Sequence, residues 1–121
     1  MKICVFCSAN GNLDAGYFEK TRELGAWAAR AGHVIIFGGA NMGLMECVAQ
    51  SARAAGGRTI GVVPRILEKG GRQSDHIDVC IPCDNLSDRK QLMMDQGDFF
   101  VALPGGLGTL DEIFTVAAAA S

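Results

Sequence analysis

Phe99-Phe100-Val101-Ala102-Leu103-Pro104-Gly105-Gly106-Leu107-Gly108-Thr109-Leu110-Asp111-Glu112 is the stretch that decides the fold. Residues 99–103 are apolar and read as a buried strand. Three glycines within four positions then lead into the start of a helix. Glycine lets a backbone come close to a ligand, and a helix start offers an anion N–H groups that have no partner inside the helix. Glu112 stands one turn into that helix. Strand, glycine loop and helix in this order form a phosphate site with a carboxylate beside it.

Outward from this stretch the chain keeps alternating. Strands are predicted at 2–6, 34–38, 58–63, 78–81 and 98–103, and helices at 14–31, 42–55, 86–96 and 109–120. The strands are short, continuous apolar runs such as Val34-Ile35-Ile36-Phe37, the pattern of a parallel sheet covered on both faces. The first helix turns Phe18, Leu24, Trp27 and Ala28 inward and stops at Ala31-Gly32, where glycine takes the left-handed end. Residues 65–77 are polar and contain glycine, and are expected to be a mobile surface loop. The 121 residues hold no repeat and no long linker, so 1–121 is read as one domain. The expected fold is α/β: a doubly wound, Rossmann-like parallel sheet in three layers.

Composition narrows the function classes. Hydrophobic residues make up 49% and charged residues 20%, with a net charge of −2. That balance disfavours nucleic acid as a partner, since such binding needs a basic surface. No apolar run reaches the roughly 18 residues of a membrane span, so no membrane partner is expected. Met1 to Cys7 resembles a signal peptide only weakly, because Asn10-Gly11-Asn12 interrupts it. A cytoplasmic location is expected.

Glycine is abundant, 16 of 121 against a usual share of about 7%, and it gathers at strand ends. Ligands of such sheets bind outside the carboxyl ends of the strands. Three small-residue loops come after strands: Cys7-Ser8-Ala9-Asn10-Gly11, Gly38-Gly39-Ala40-Asn41-Met42-Gly43, and Pro104 to Thr109. Together they suggest a nucleotide-sized pocket. The middle loop is spaced G-G-x-x-x-G, comes after the second strand, and has no acidic residue at the end of the next strand. It therefore fails the dinucleotide fingerprint, and a NAD-dependent oxidoreductase is disfavoured. Gly38 and Gly39 either form a tight turn that lets the helix pack on the sheet or touch a phosphate or sugar directly.

Other motifs carry two readings each. Thr109-Leu110-Asp111-Glu112 is a capping box, with Thr109 and Glu112 each satisfying the other's backbone N–H. A plain cap does not require the glycines before it. In the helix from Leu86, capped by Asp84 or Asn85, Arg89 and Lys90 flank the line of Leu86 and Met93. They are either snorkelling cations on a solvated edge or, for Arg89, a planar fork reaching a phosphate or ribose. Met93 and Met94 read as core. His33 reads as a surface residue, and His76 as a satisfied loop histidine that could also line the pocket mouth.

Five cysteines include the pairs Cys4/Cys7 and Cys80/Cys83. In a strand, Cys4 and Cys7 point to opposite faces, roughly 10 Å apart, too far for one zinc ion. Buried or half-buried thiols are expected, with no metal. The odd count speaks against a disulfide framework.

Gly38-Gly39-Ala40-Asn41-Met42-Gly43-Leu44-Met45, Asp88-Arg89-Lys90 and Pro104 to Glu112 together resemble the Lonely Guy family, the cytokinin riboside 5′-monophosphate phosphoribohydrolases often mislabelled as lysine decarboxylases. The last motif is similar to that family's P-G-G-x-G-T-x-x-E at every fixed position. The resemblance implies hydrolysis of the N-glycosidic bond of an adenosine-type nucleoside 5′-monophosphate, with no cofactor, in a homodimer. It implies that Arg89 and Glu112 are the catalytic pair. It also implies that Lys90 and the loop Gly105, Gly106, Leu107, Gly108 and Thr109 hold the nucleotide, with Ser8, Gly38 and Gly39 as neighbours. Asp75 or solvent is left to protonate the leaving base. The family's chains continue with a further strand and helices, so a part of the pocket wall or dimer interface is expected to be lacking here.

The alternative is a non-catalytic carrier of a nucleotide-like cofactor, such as the molybdenum cofactor, on the same scaffold. A lysine decarboxylase would need pyridoxal phosphate on a lysine, and Lys2, Lys20, Lys69 and Lys90 are not in suitable places.

Overall fold

The computed structural model describes residues 1–7 and 15–103. Their elements run β1 (Lys2–Phe6), α1 (Ala15–Arg30), β2 (Val34–Phe37), α2 (Gly43–Ala54), β3 (Arg58–Pro64), α3 (Arg65–Lys69), β4 (Val79–Cys83), α4 (Leu86–Gln96) and β5 (Phe99–Ala102). All the strand pairings are parallel, and the sheet order is β4-β3-β2-β1-β5. The chain steps outward from β1 to β4, then crosses back through α4 to the other flank of β1. The winding therefore reverses between β1 and β5, and a crevice opens beyond their carboxyl ends at such a point. Phe6 is in register with Ala102, and the Leu103 N–H donates to the Phe6 carbonyl at 2.8 Å.

Alternation along β1 builds two cores. Ile3, Val5 and Cys7 join Ile35, Phe37 and, from α1 and α2, Ala28, Leu44 and Val48. Cys4 and Phe6 join Ile36, Val62, Cys83 and Met93 of α4 on the other face. The layers are thus α1 with α2, the sheet, and α4. Cys4 and Cys7 lie on opposite faces, as strand geometry requires, and Met93 is core as expected. Gly32 adopts φ +78 behind α1, and the His33 N–H returns to the Ala28 carbonyl at 2.8 Å, so the predicted left-handed stop is present.

Five expectations need correction, the first being that of buried or half-buried thiols, since Cys80 on β4 is exposed. Trp27 is not inward but 54% exposed, tilted against a half-buried His33. The face of α1 that is buried runs through Thr21, Gly25 and Ala28. A Cβ on Gly25 would fall 2.9 Å from the Val48 carbonyl oxygen, so the two helices cross too closely there for a bulky side chain.

Residues 65–77 are not a loop throughout. They begin with α3, and the segment beyond that helix is pinned: Ala40 and Gln73 form an antiparallel bridge, the Ser74 N–H donates to the Gly39 carbonyl at 2.8 Å, and Ser74 is buried. β5 is a strand but not a buried one, with Phe99 56% exposed and Phe100 stacked on Phe6. It pairs with β1 alone among the described strands. At the opposite edge β4 leaves Val79 exposed, so coverage on both faces holds for the central strands only.

Candidate active site

The carboxyl end of β2 delivers Gly38 and Gly39 to the rim of the crevice, and α4 delivers Arg89 to the same place. Asn85 caps α4: its side-chain oxygen accepts the Asp88 N–H at 2.9 Å, which settles the choice between Asp84 and Asn85. One turn on, the Arg89 side chain reaches the carboxyl end of β2. Its Nη1 approaches the Gly38 carbonyl oxygen at 3.5 Å, a long and weak hydrogen bond. Its Nε is buried and has no hydrogen-bond partner among the described residues. Arg89 is a half-buried guanidinium turned toward the glycine loop rather than a side chain lying on a solvated edge. Lys90, next along α4, is half-buried too.

Gly39 has φ +81, and a Cβ there would stand 2.6 Å from Val63 Cγ2. Its conformation serves the tight turn against β3. Asp75 is exposed and comes directly after Ser74, which is tied to Gly39, so its backbone lies beside the same loop. The segment behind it is clamped. His76 Nδ1 meets Glu46 Oε1 at 2.8 Å, which makes it a satisfied loop histidine. Asp78 accepts the Thr59 N–H at 2.8 Å and lies 3.5 Å from Arg53.

Sequence reasoning misses Glu46 and Met45, both in the first part of α2. The partner of Glu46, His76, lies thirty positions away along the chain, and no short spacing encodes such a contact. A cavity of about 420 Å³ opens beside α2, lined in part by Arg22, Met42, Glu46 and Cys47, and does not include Arg89.

The structure therefore brings together Gly38, Gly39, Arg89 and the Asp75 segment, with Lys90 adjacent on α4. Ser8, Gly105, Gly106, Leu107, Gly108, Thr109 and Glu112, with the helix expected at 109–120, lie outside the described residues. Burial pushes the Cys83 thiol above its usual range, and the nearby positive charge of Arg89 works against that rise. Among the described residues no three His, Cys, Asp or Glu side chains gather as a metal site, and no helix is long and apolar enough to cross a membrane. What the arrangement offers chemically is a half-buried guanidinium beside the glycine loop at the carboxyl end of β2, a group suited to an anion or a sugar oxygen.

The family model described as the SLOG cluster4 family matches residues 1–120. A cytokinin riboside 5′-monophosphate phosphoribohydrolase of Mycobacterium tuberculosis is 40% identical over 112 residues, covering 93% of this chain and 59% of that protein. Another from Arabidopsis thaliana is 32% identical over 117 residues, 97% of this chain and 51% of that one. The chain thus spans between half and three-fifths of the length of these curated relatives. The solved structure of the molybdenum cofactor binding protein from the phototrophic bacterium Rippkaea orientalis superposes with a TM-score of 0.87 at 28% identity, covering 98% of this chain and 71% of that one.

Proposed function

The chain belongs to the SLOG cluster4 family, and from that premise we propose that it hydrolyses the N-glycosidic bond of an adenosine-type nucleoside 5′-monophosphate. In this reaction a water oxygen bonds to C1′ of the ribose, and the water's surplus proton passes to Glu112 or to solvent. The C1′–N bond breaks with its electron pair leaving on the base, and the base takes up a proton from Asp75 or from solvent. The products are the free base and ribose 5-phosphate. On this reading 1–121 is a single nucleotide-binding domain, acting as a cytoplasmic homodimer.

The observation that carries the proposal is Arg89, turned from α4 onto the Gly38 carbonyl at the rim of the crevice. Breaking a ribosyl–nitrogen bond builds positive charge on the sugar ring. A fixed carboxylate nearby, Glu112, stabilises that charge more in the transition state than in the ground state, and positions the attacking water. Lys90, with Ser8 and the loop Gly105 to Thr109, holds the 5′-phosphate. Arg89 pairs with phosphate or sugar oxygens and orients the carboxylate. The relatives' names support the reaction class.

A second reading, a carrier of a nucleotide-like cofactor, is favoured by the likeness to the Rippkaea orientalis protein. Incubation with AMP and with an N6-isopentenyl AMP, then chromatography for free base, separates the two. The enzyme reading expects base release that falls roughly 100-fold or more in Arg89→Ala and in Glu112→Gln. Tight nucleotide binding with no base released, unchanged in Glu112→Gln, would leave the carrier reading standing.

A further inference from the structure

Gly38 stands in a hollow shared by two side chains, one from α4 and one from α2. A Cβ built on it would lie 3.0 Å from Arg89 Nη1 on one side, and 3.0 Å from both Sδ and Cε of Met45 on the other. Contacts that close force a neighbour to shift by a few tenths of an ångström. The same residue's carbonyl oxygen is the acceptor for Nη1. Met45 is the buried floor of this hollow, 7% exposed and packed in the core between the sheet and α2.

We infer that Gly38 is a positioning residue for Arg89. Its missing side chain and its carbonyl together form the seat of the guanidinium, with the Met45 thioether as the wall behind. The inference rests on the phosphoribohydrolase reading and gives one of its glycines a role other than contact with the ligand.

The outcome depends on which neighbour yields. Arg89 Nε is buried without a partner among the described residues, and among those residues the guanidinium is seated by shape and by one long bond to the Gly38 carbonyl. A methyl group at position 38 meets the core on the Met45 side and the crevice on the Arg89 side. Interiors are close-packed and resist displacement, so the guanidinium moves outward. Misplacing a catalytic group by a fraction of an ångström lowers turnover while substrate binding at other contacts persists.

The test is a set of variants assayed for base release: Gly38→Ala, Arg89→Ala, both together, and Gly38→Ala with Met45→Ala. The expected result is a fall of about tenfold in kcat for Gly38→Ala, with KM changed less than twofold. Gly38→Ala should add no further loss on top of Arg89→Ala. Met45→Ala relieves only the core side of the clash and leaves a cavity that the new methyl fills in part, so it should regain some of the thermal stability lost in Gly38→Ala without restoring kcat. It also supplies the folded variant should Gly38→Ala alone not fold.

Three results overturn the inference: a raised KM with kcat kept, losses that add in the double variant, or activity recovered by Met45→Ala. If the unaltered protein releases no base from any nucleotide offered, the functional reading fails, and the inference is then decided by ¹⁵N NMR. The Nε–H resonance of Arg89, identified by its loss in Arg89→Ala, should exchange slowly with water and move in Gly38→Ala. An unmoved resonance overturns the seat.

Discussion

Gly39 carries two constraints at once. Its φ of +81 suits glycine, and a Cβ would meet Val63 Cγ2 at 2.6 Å. Left-handed strain and overpacking against β3 should together cost Gly39→Ala about 2–3 kcal/mol. Urea unfolding should show a lower midpoint with an unchanged slope, and a loss under about 0.5 kcal/mol would mean that the loop withdraws from β3 at little cost. Gly71 is the internal control: its φ is +67 but nothing lies within 4 Å, so alanine there meets only the strain. At this scale the sequence is a partial guide. Helical spacing puts Arg89 and Lys90 beside an apolar line, yet it does not say that Arg89 turns to a carbonyl 51 positions away. It also turns Trp27 inward, because indole is apolar. The close crossing of α1 and α2 at Gly25 puts Thr21, Gly25 and Ala28 on the fully buried face, with Phe18 and Leu24 packed at its margin and Trp27 outside it.

Among the elements, α4 ties stability to the site, since its first turn holds both the Asn85 cap and Arg89. Asn85→Ala should cost about 1 kcal/mol, with Asn85→Asp close to neutral. Because the unravelling would begin in the turn that aims Arg89, base release should fall along with the melting temperature. Differential scanning calorimetry beside the kinetic assay checks this, and a lowered melting temperature with full turnover would show that Arg89 is held from elsewhere. α3 is illegible in the sequence because five residues are too few to show a helical period or to hold a helix without tertiary support. The stretch after it reads as mobile because its anchors are distant along the chain: Gln73 to Ala40, Ser74 to Gly39, Asp78 to Thr59. β5 is recognisable as a strand from its apolar run. Its exposure goes with pairing to β1 alone among the described strands, which composition does not encode.

For the whole molecule, the homodimer of the functional proposal predicts twice the chain mass in sedimentation equilibrium at micromolar concentration, and a single chain mass would remove the dimer while leaving the fold intact. Local patterns in the residues are enough to dictate the alternation of strand and helix, the parallel sheet, the left-handed stop at Gly32 and the division of Cys4 and Cys7 between two faces. They rest on a period of two along a strand, a period of 3.6 along a helix, and the freedom of glycine to adopt positive φ. The motifs through which the family is recognised are local in the same way. Strand order is not, and neither is the reversal between β1 and β5 that sets the crevice. The folded arrangement alone makes Arg89 rest on Gly38, closes the hollow behind it with Met45, and spends His76 on Glu46. The contacts of Arg89 with Gly38 and of His76 with Glu46 join residues distant along the chain, and their partners are chosen by how the layers pack, which no local pattern records.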